Sequence, residues 1–150
     1  MVRWAEFEAA APEIAAAGRR LLYARGDGEA LLVTVRGAGL PRVHPINVGV
    51  VDGGFYAFLL PSAKRTDLEQ DGRFALHTHQ DPAAPDEFSI RGRAQVVDDA
   101  AIRAAVGDAW FFEVDDTYLL VDLDVEQAVL GLRGADEWPP RYNRWTAAGS

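Results

Sequence analysis

The sequence predicts an α+β fold, mainly β with helices. Apolar residues keep helical spacing at the start of the chain, short β-rich runs separated by turn signals fill the middle, and neither an internal repeat nor a linker divides the 150 residues. That length suits one domain, 1–150, with a real core.

Trp4, Phe7, Ala11, Ile14, Gly18, Leu21 and Leu22 recur every three to four residues and predict one amphipathic helix from about 4 to 23. Pro12 and Gly18 are the positions where it would bend or split. "RGDGE" ends it, and "ALLVTVR" is a first strand. "GAGLPR" has turn chemistry, so "VHPINVGVV" reads as the second strand of a hairpin. Pro45 inside it implies an edge, a bulge or an interrupted ladder. "DGG" is a tight turn before the third strand, "FYAFLL". Pro61 ends that strand, and Ser62 caps a helix over roughly 63 to 71. "RFALHTH" and "EFSIRGRAQVV" are the fourth and fifth strands, the latter with Phe88, Ile90, Gly92, Ala94 and Val96 on one face. "DDAAIRAAVGDAW" is a helix begun at Asp98 or Asp99, and "YLLVDLDVEQAVLGLR" holds a sixth strand with room for a seventh. The tail, "EWPPRYNRWTAAGS", has no clear period. Six or so antiparallel strands at barrel-like spacing follow.

Composition excludes several classes of function. A formal net charge of −8 argues against a general nucleic-acid or anionic-membrane surface but leaves room for one local anion pocket. The absence of cysteine removes disulfides, thiolate metal sites and cysteine nucleophiles. The histidines are His44, His77 and His79, without HExxH spacing, and no metal site is expected. No apolar run approaches the roughly 20 residues of a membrane helix. The N-terminus lacks a secretory h-region, so a cytoplasmic protein is expected. Ser62 is not in a G-x-S-x-G elbow, and no G-x-x-x-x-G-K-[ST] loop occurs. No catalytic side chain is assigned.

Chemistry concentrates in "PSAKRTDLEQDGR". Ser62, Lys64 and Arg65 lie where a strand hands over to a helix, whose unpaired N–H groups and dipole favour anions. One reading is a phosphate cradle. The other is a capped helix with solvated cations that pair with Asp67 or Glu69.

The order of elements shifts the balance between them. "S-x-K-x-x-D-L" at Ser62, Lys64, Asp67 and Leu68, preceded by the "T-V-R…G-x-P-R-V…P" hairpin from Thr34 to Pro45, resembles the pyridoxamine-phosphate-oxidase-like, FMN-binding split-barrel family. The likeness runs from about Trp4 to Val97 and extends weakly into the tail. It implies a six-stranded antiparallel split β-barrel of the FMN-binding type, a homodimer with the flavin in a groove at the interface, and a small organic substrate. FMN is the implied cofactor, F420 the alternative, and haem binders also occur in the family. By position, Ser62 and Lys64, with Arg65 beside them, would hold the cofactor phosphate. Val43, His44, Pro45, Ile46 and Asn47 would line the flavin. Phe58, Leu59 and Leu60 are apolar where relatives often carry a polar residue, and the "R-x-V-L-L-K" strand of the true oxidases is absent, so vitamin B6 oxidation is not assigned.

Other residues carry two readings. His77 and His79 share one strand face, where they are either plain sheet residues or, for His79 especially, groove residues. Arg91 and Arg93 are read as solvated, or as contacts to an acidic cofactor tail. Trp110, Phe111 and Phe112 are read as core or dimer packing. Asp115, Asp116, Asp122, Asp124 and Glu126 are read as a solvated face.

Overall fold

The computed structural model describes residues 1–149. Pro12 divides the predicted first helix in two: α1, Trp4–Ala10, and α2, Pro12–Leu22. Proline has no N–H to donate and suits the first position of a helix. The Ala11 amide closes α1 on the Phe7 carbonyl, while the Ala11 carbonyl opens α2. Gly18 does not break α2. A Cβ there would sit 2.3 Å from the Phe88 ring, so glycine lets the helix lie directly on the sheet. Trp4 and Phe7 are buried edge to face, 5.2 Å apart.

The strands are β1, Glu29–Thr34; β2, Arg42–Asn47; β3, Gly49–Val51; β4, Gly54–Leu59; β5, Arg73–His77; β6, Glu87–Val96; β7, Leu119–Leu123; β8, Gln127–Leu132; and β9, Arg141–Thr146. Helix α3, Ala63–Gln70, follows β4, and α4, Ala100–Asp108, follows β6. All strand pairs are antiparallel, in the order β2-β1-β5-β6-β7-β4-β3, with β8 between β6 and β9.

Six strands become nine for identifiable reasons. The predicted second strand breaks at Val48, whose amide turns to the Gly28 carbonyl. The predicted run over 118–133 is two strands that lie along one edge of β6. Three steps along β6, from Arg91 to Ala94, face four on the opposing chain, from Gln127 to Leu123. The extra residue is a β-bulge at Asp124. Gly92 permits it, since a Cβ there would lie 1.7 Å from the Asp124 carbonyl oxygen. The bulge sends β7 towards β4 and β8 towards β9, which opens the barrel into two wings. The ninth strand forms from the tail, although its sequence has no clear period. β9 pairs with β8, and Trp145 packs 5.1 Å from Phe7. The last tail residue, 150, lies outside the described residues.

The Asp52–Gly53 turn between β3 and β4 has positive φ at both positions, as a tight hairpin turn requires. β4 is buried along its whole length. Phe55, Ala57 and Leu59 enter the main core, while Tyr56 and Phe58 enter a second cluster with Val106, Trp110 and Leu120 under α4. Two covered faces explain why "FYAFL" is apolar throughout. The acidic run is a solvated face only in part: Asp115 and Asp116 are exposed, whereas Asp122 and Asp124 are not. Asp124 is buried and accepts a bond from the Val2 amide. One carboxylate oxygen of half-buried Asp122 is itself enclosed, and burial raises the acid's pKa. Arg91 and Arg93 are exposed, bonded to Gln127 and Glu126. Among the described residues no helix is long and apolar enough to cross a membrane.

Candidate functional site

Among the described residues β2 pairs only with β1, so it is an edge strand, a position that suits Pro45. Helix α3 follows β4 directly and packs beside this edge. Ser62 is its N-cap. The hydroxyl accepts from the Arg65 amide at 3.3 Å and donates to the Leu60 carbonyl at 3.0 Å. Lys64 reaches across to the Pro45 carbonyl, 3.2 Å from its Nζ.

A cavity of about 480 Å³ lies between these elements. Pro45, Ile46 and Asn47 of β2, Ser62 and Lys64 at the start of α3, His79 and Arg25 line it. Phe58, Leu59, Phe112 and Tyr118 make the apolar floor. The volume falls in the range of small-molecule sites, about 300–1,000 Å³. The fold therefore brings together six of the residues proposed from sequence.

The remaining three lie elsewhere. Val43 is 65% exposed and borders a different cavity on the sheet. Arg65 bonds Glu69 at 3.3 Å and the Thr117 carbonyl at 2.9 Å. His44 shares the Ile46 face of β2, but its ring is engaged by the Thr34 hydroxyl, 3.1 Å from Nε2. His77 is the last residue of β5 and borders the sheet-face cavity, whereas His79 lies beyond the strand and borders the first.

Behind the cavity lies a polar cluster. Asp67 is fully buried. It accepts from the Thr34 hydroxyl at 2.8 Å, from Arg36 at 2.8 and 2.9 Å, and from Arg42 at 3.0 Å. Burial alone would raise its pKa. The bonds from Thr34 and Arg36 and the charge of Arg42 outweigh that, and the carboxyl is held below its ordinary value. The Thr34 proton goes to Asp67, so its oxygen accepts from His44, which fixes the Nε2–H tautomer. Burial, with Lys64 and Arg42 nearby, lowers the His44 pKa against the opposing pull of Asp67.

Sequence reasoning did not place Arg25, Glu29, Phe112 and Tyr118 at this cavity, nor Arg36 and Arg42 on Asp67. Phe112 was legible only as an aromatic. It reaches the cavity through contact with Tyr118, 5.6 Å between rings. Asp67 pairs with neither Lys64 nor Arg65, its partners being 25 to 33 residues away in sequence.

The architecture is that of a curled antiparallel half-barrel with four helices, an α+β split-barrel fold. No protein-family profile matches the chain, and no curated protein matches it in sequence. Solved structures do match. PhzG from Burkholderia lata 383, in complex with tetrahydrophenazine-1-carboxylic acid, superposes with a TM-score of 0.67 at 16% identity, over 95% of this chain and 91% of its own. A heme binding protein from Mycobacterium smegmatis gives 0.65 at 19% identity, over 87% of this chain, which spans only 57% of that protein. A provisionally named pyridoxamine 5′-phosphate oxidase from Listeria innocua gives 0.58 at 17% identity, over 73% of this chain and 91% of its own. These likenesses are of fold. The neighbours include pyridoxamine-oxidase-like split-barrel proteins, so the fold that the resemblance implied is the one observed, with nine strands in place of six.

Proposed function

We propose that this chain binds a flavin-type cofactor, FMN or alternatively F420, and acts as an oxidoreductase on a small organic molecule. One observation carries the reading: Ser62 and Lys64, at the start of α3, line the same ligand-sized cavity as Pro45–Asn47. The residues fit a phosphate-bearing group. Lys64 supplies a cation, and the first turn of α3 supplies N–H groups without intrahelical partners. Phe58, Leu59 and Phe112 would exclude water from the inner wall. The flavin, when bound, supplies the redox chemistry, and the protein binds, orients and shields. This needs no acid–base pair among the cavity residues.

The homodimer belongs to the same reading. Cross-strand rows run over the outward face of β2-β1-β5-β6-β8. One is Val43, Val33, Ala75, Arg91, Gln127; the next is Pro45, Leu31, His77, Ser89, Val129. An exposed sheet face normally alternates to polar side chains, whereas these rows keep apolar ones at the β1–β2 end. The following cross-strand pair, Glu29 and Asn47, lies on the cavity wall. A second copy seated on this face would therefore also wall the cavity. Sedimentation at micromolar concentration should give about twice the 16.4 kDa chain mass, and Val43→Glu should shift the protein towards monomer.

His79 on the cavity wall supports a second reading, a haem binder without flavin, in line with the mycobacterial neighbour. One set of titrations separates the two. Saturable uptake of FMN or F420, with flavin absorption, supports the first reading. A Soret band on adding haem, with no flavin uptake, supports the second. Folded protein that takes up neither flavin overturns the proposal.

A further inference from the structure

The cavity's polar end is built from two elements that no strand ladder joins. Ser62 and Lys64 belong to α3, whereas Pro45–Asn47 belong to β2. What holds these elements at one spacing lies a turn further along the helix. Asp67 sits three residues after Lys64, in the next helical turn. Its carboxylate takes bonds from Thr34 at the end of β1, Arg36 in the connecting loop and Arg42 at the start of β2. One buried group thus ties α3 to both strands of the hairpin. Both guanidiniums remain partly exposed, 41% and 49%, so solvent accepts their remaining N–H groups while the carboxylate is fully enclosed.

We propose that Asp67 is the positioning residue of the anion cradle. Its carboxylate clamps α3 to the β1–β2 hairpin and thereby sets where the Lys64 ammonium stands relative to Pro45 and the cavity. The clamp is a property of the protein alone, while its consequence for ligands rests on the phosphate reading given above. The bond directions also make His44 a reporter. Its ring donates Nε2–H to Thr34 only because the Thr34 proton is committed to Asp67. The charged groups that bear on it are Lys64 and Asp67 from α3 and Arg42 from β2.

The test uses Asp67→Asn, which keeps the shape and removes the charge, with three readouts. Amide hydrogen exchange in α3 should quicken about tenfold, the equivalent of 1.4 kcal/mol, with β4 unchanged. Nitrogen NMR of His44 should show loss of the single Nε2–H tautomer. FMN and inorganic phosphate should bind about tenfold more weakly, although Asp67 touches neither the cavity nor its ligand. In a Lys64→Ala background the same substitution should change affinity by no more than about twofold, because the clamp acts through Lys64. That coupling is not expected of a merely structural residue. If Asp67→Asn does not fold, Thr34→Val is read the same way, with smaller effects. Unchanged exchange in α3 overturns the inference whether or not a ligand binds. Faster exchange with unchanged affinity, or an undiminished loss in the Lys64→Ala background, overturns the positioning role and leaves the cofactor reading standing. Wild-type protein that binds neither FMN nor phosphate overturns the cofactor reading and the positioning role with it, and the exchange data then decide the clamp alone.

Discussion

After the exposed cap Ser62, the first turn of α3 leaves Lys64 and Arg65 partly exposed, whereas the second buries Asp67 and Leu68. The helix is only eight residues long, yet its two turns obey different rules. Cations at the first turn keep part of their hydration and bond only carbonyls or an exposed carboxylate, partners that a ligand can replace at little cost. A carboxylate in the second turn has lost its water, and every lone pair left unmatched is costly. The difference explains why the conspicuous charges of this segment contribute little to the fold, while the inconspicuous Asp67 contributes much.

Asp67→Ala tests the comparison hardest. Removing one partner of a buried ion pair costs about 3–5 kcal/mol. The lower end is expected here, since the two freed guanidiniums are already partly hydrated. Urea denaturation at pH 7 measures it. Lys64→Ala at the other turn should change that midpoint by less than about 0.5 kcal/mol.

Acid sharpens the same contrast. The Asp67 pKa is lower in the folded chain than unfolded, so the unfolded state binds protons first as pH falls. Its contribution is complete above about pH 4, the unfolded value, and is lost as pH falls through the native value. Asp71 and Asp115 shift in the same direction, so the readout is the difference between wild type and Asp67→Asn. That difference should be constant from pH 6 to about pH 4 and shrink below it, as followed by denaturation midpoints.

Ser62→Ala should cost about 1 kcal/mol by loss of the N-cap, without touching the Asp67 network. A thermal melt measures it. Lys64→Ala, nearly silent for stability, should weaken FMN or F420 binding about 10- to 150-fold, the loss of one charge-assisted contact worth roughly 1.5–3 kcal/mol. Equal binding by folded Lys64→Ala places the cradle elsewhere. Arg65→Ala should have the smallest effect, a few tenths of a kcal/mol in stability at about the level of an exposed i,i+4 pair, and less than Lys64→Ala in titration.

How far the sequence reaches depends on how far each residue's partner lies along the chain. The cap at Ser62, the turn at Asp52–Gly53, the edge position of Pro45 and the aromatic anchors of α1 were legible because their causes lie within a few residues. Gly18 was legible as an exception but not as the seat of Phe88, which lies 70 positions away. Strand β9 escaped notice because "RYNRWT" is almost wholly exposed and lacks an apolar alternation. It exists because β8 offers it an edge. The count of strands failed at Val48, where a bond to Gly28 breaks the run; at Asp124 the room for a seventh strand was legible, but not the bulge against Gly92 that separates it from the sixth.

At the cavity the same division holds. Ser62, Lys64 and the Pro45–Asn47 stretch could be named from the chain, because a capped helix start after a strand and a proline-bearing edge are local patterns. Which faces of β2 and α3 meet could not. It is decided by a carboxylate whose donors come from β1, the loop and β2, by α4 pressing Phe58 onto Trp110, and by Tyr118 holding Phe112 against the floor. The sequence by itself determined helices, turns and most strands, since backbone sterics and short-range hydrogen bonds act over a few residues. Only the tertiary structure decided the Asp67 clamp, the bulge that splits the barrel and the tail strand. Each depends on burying a polar group or pairing an edge against residues distant in the chain, and that becomes favourable only once the core has already brought them together.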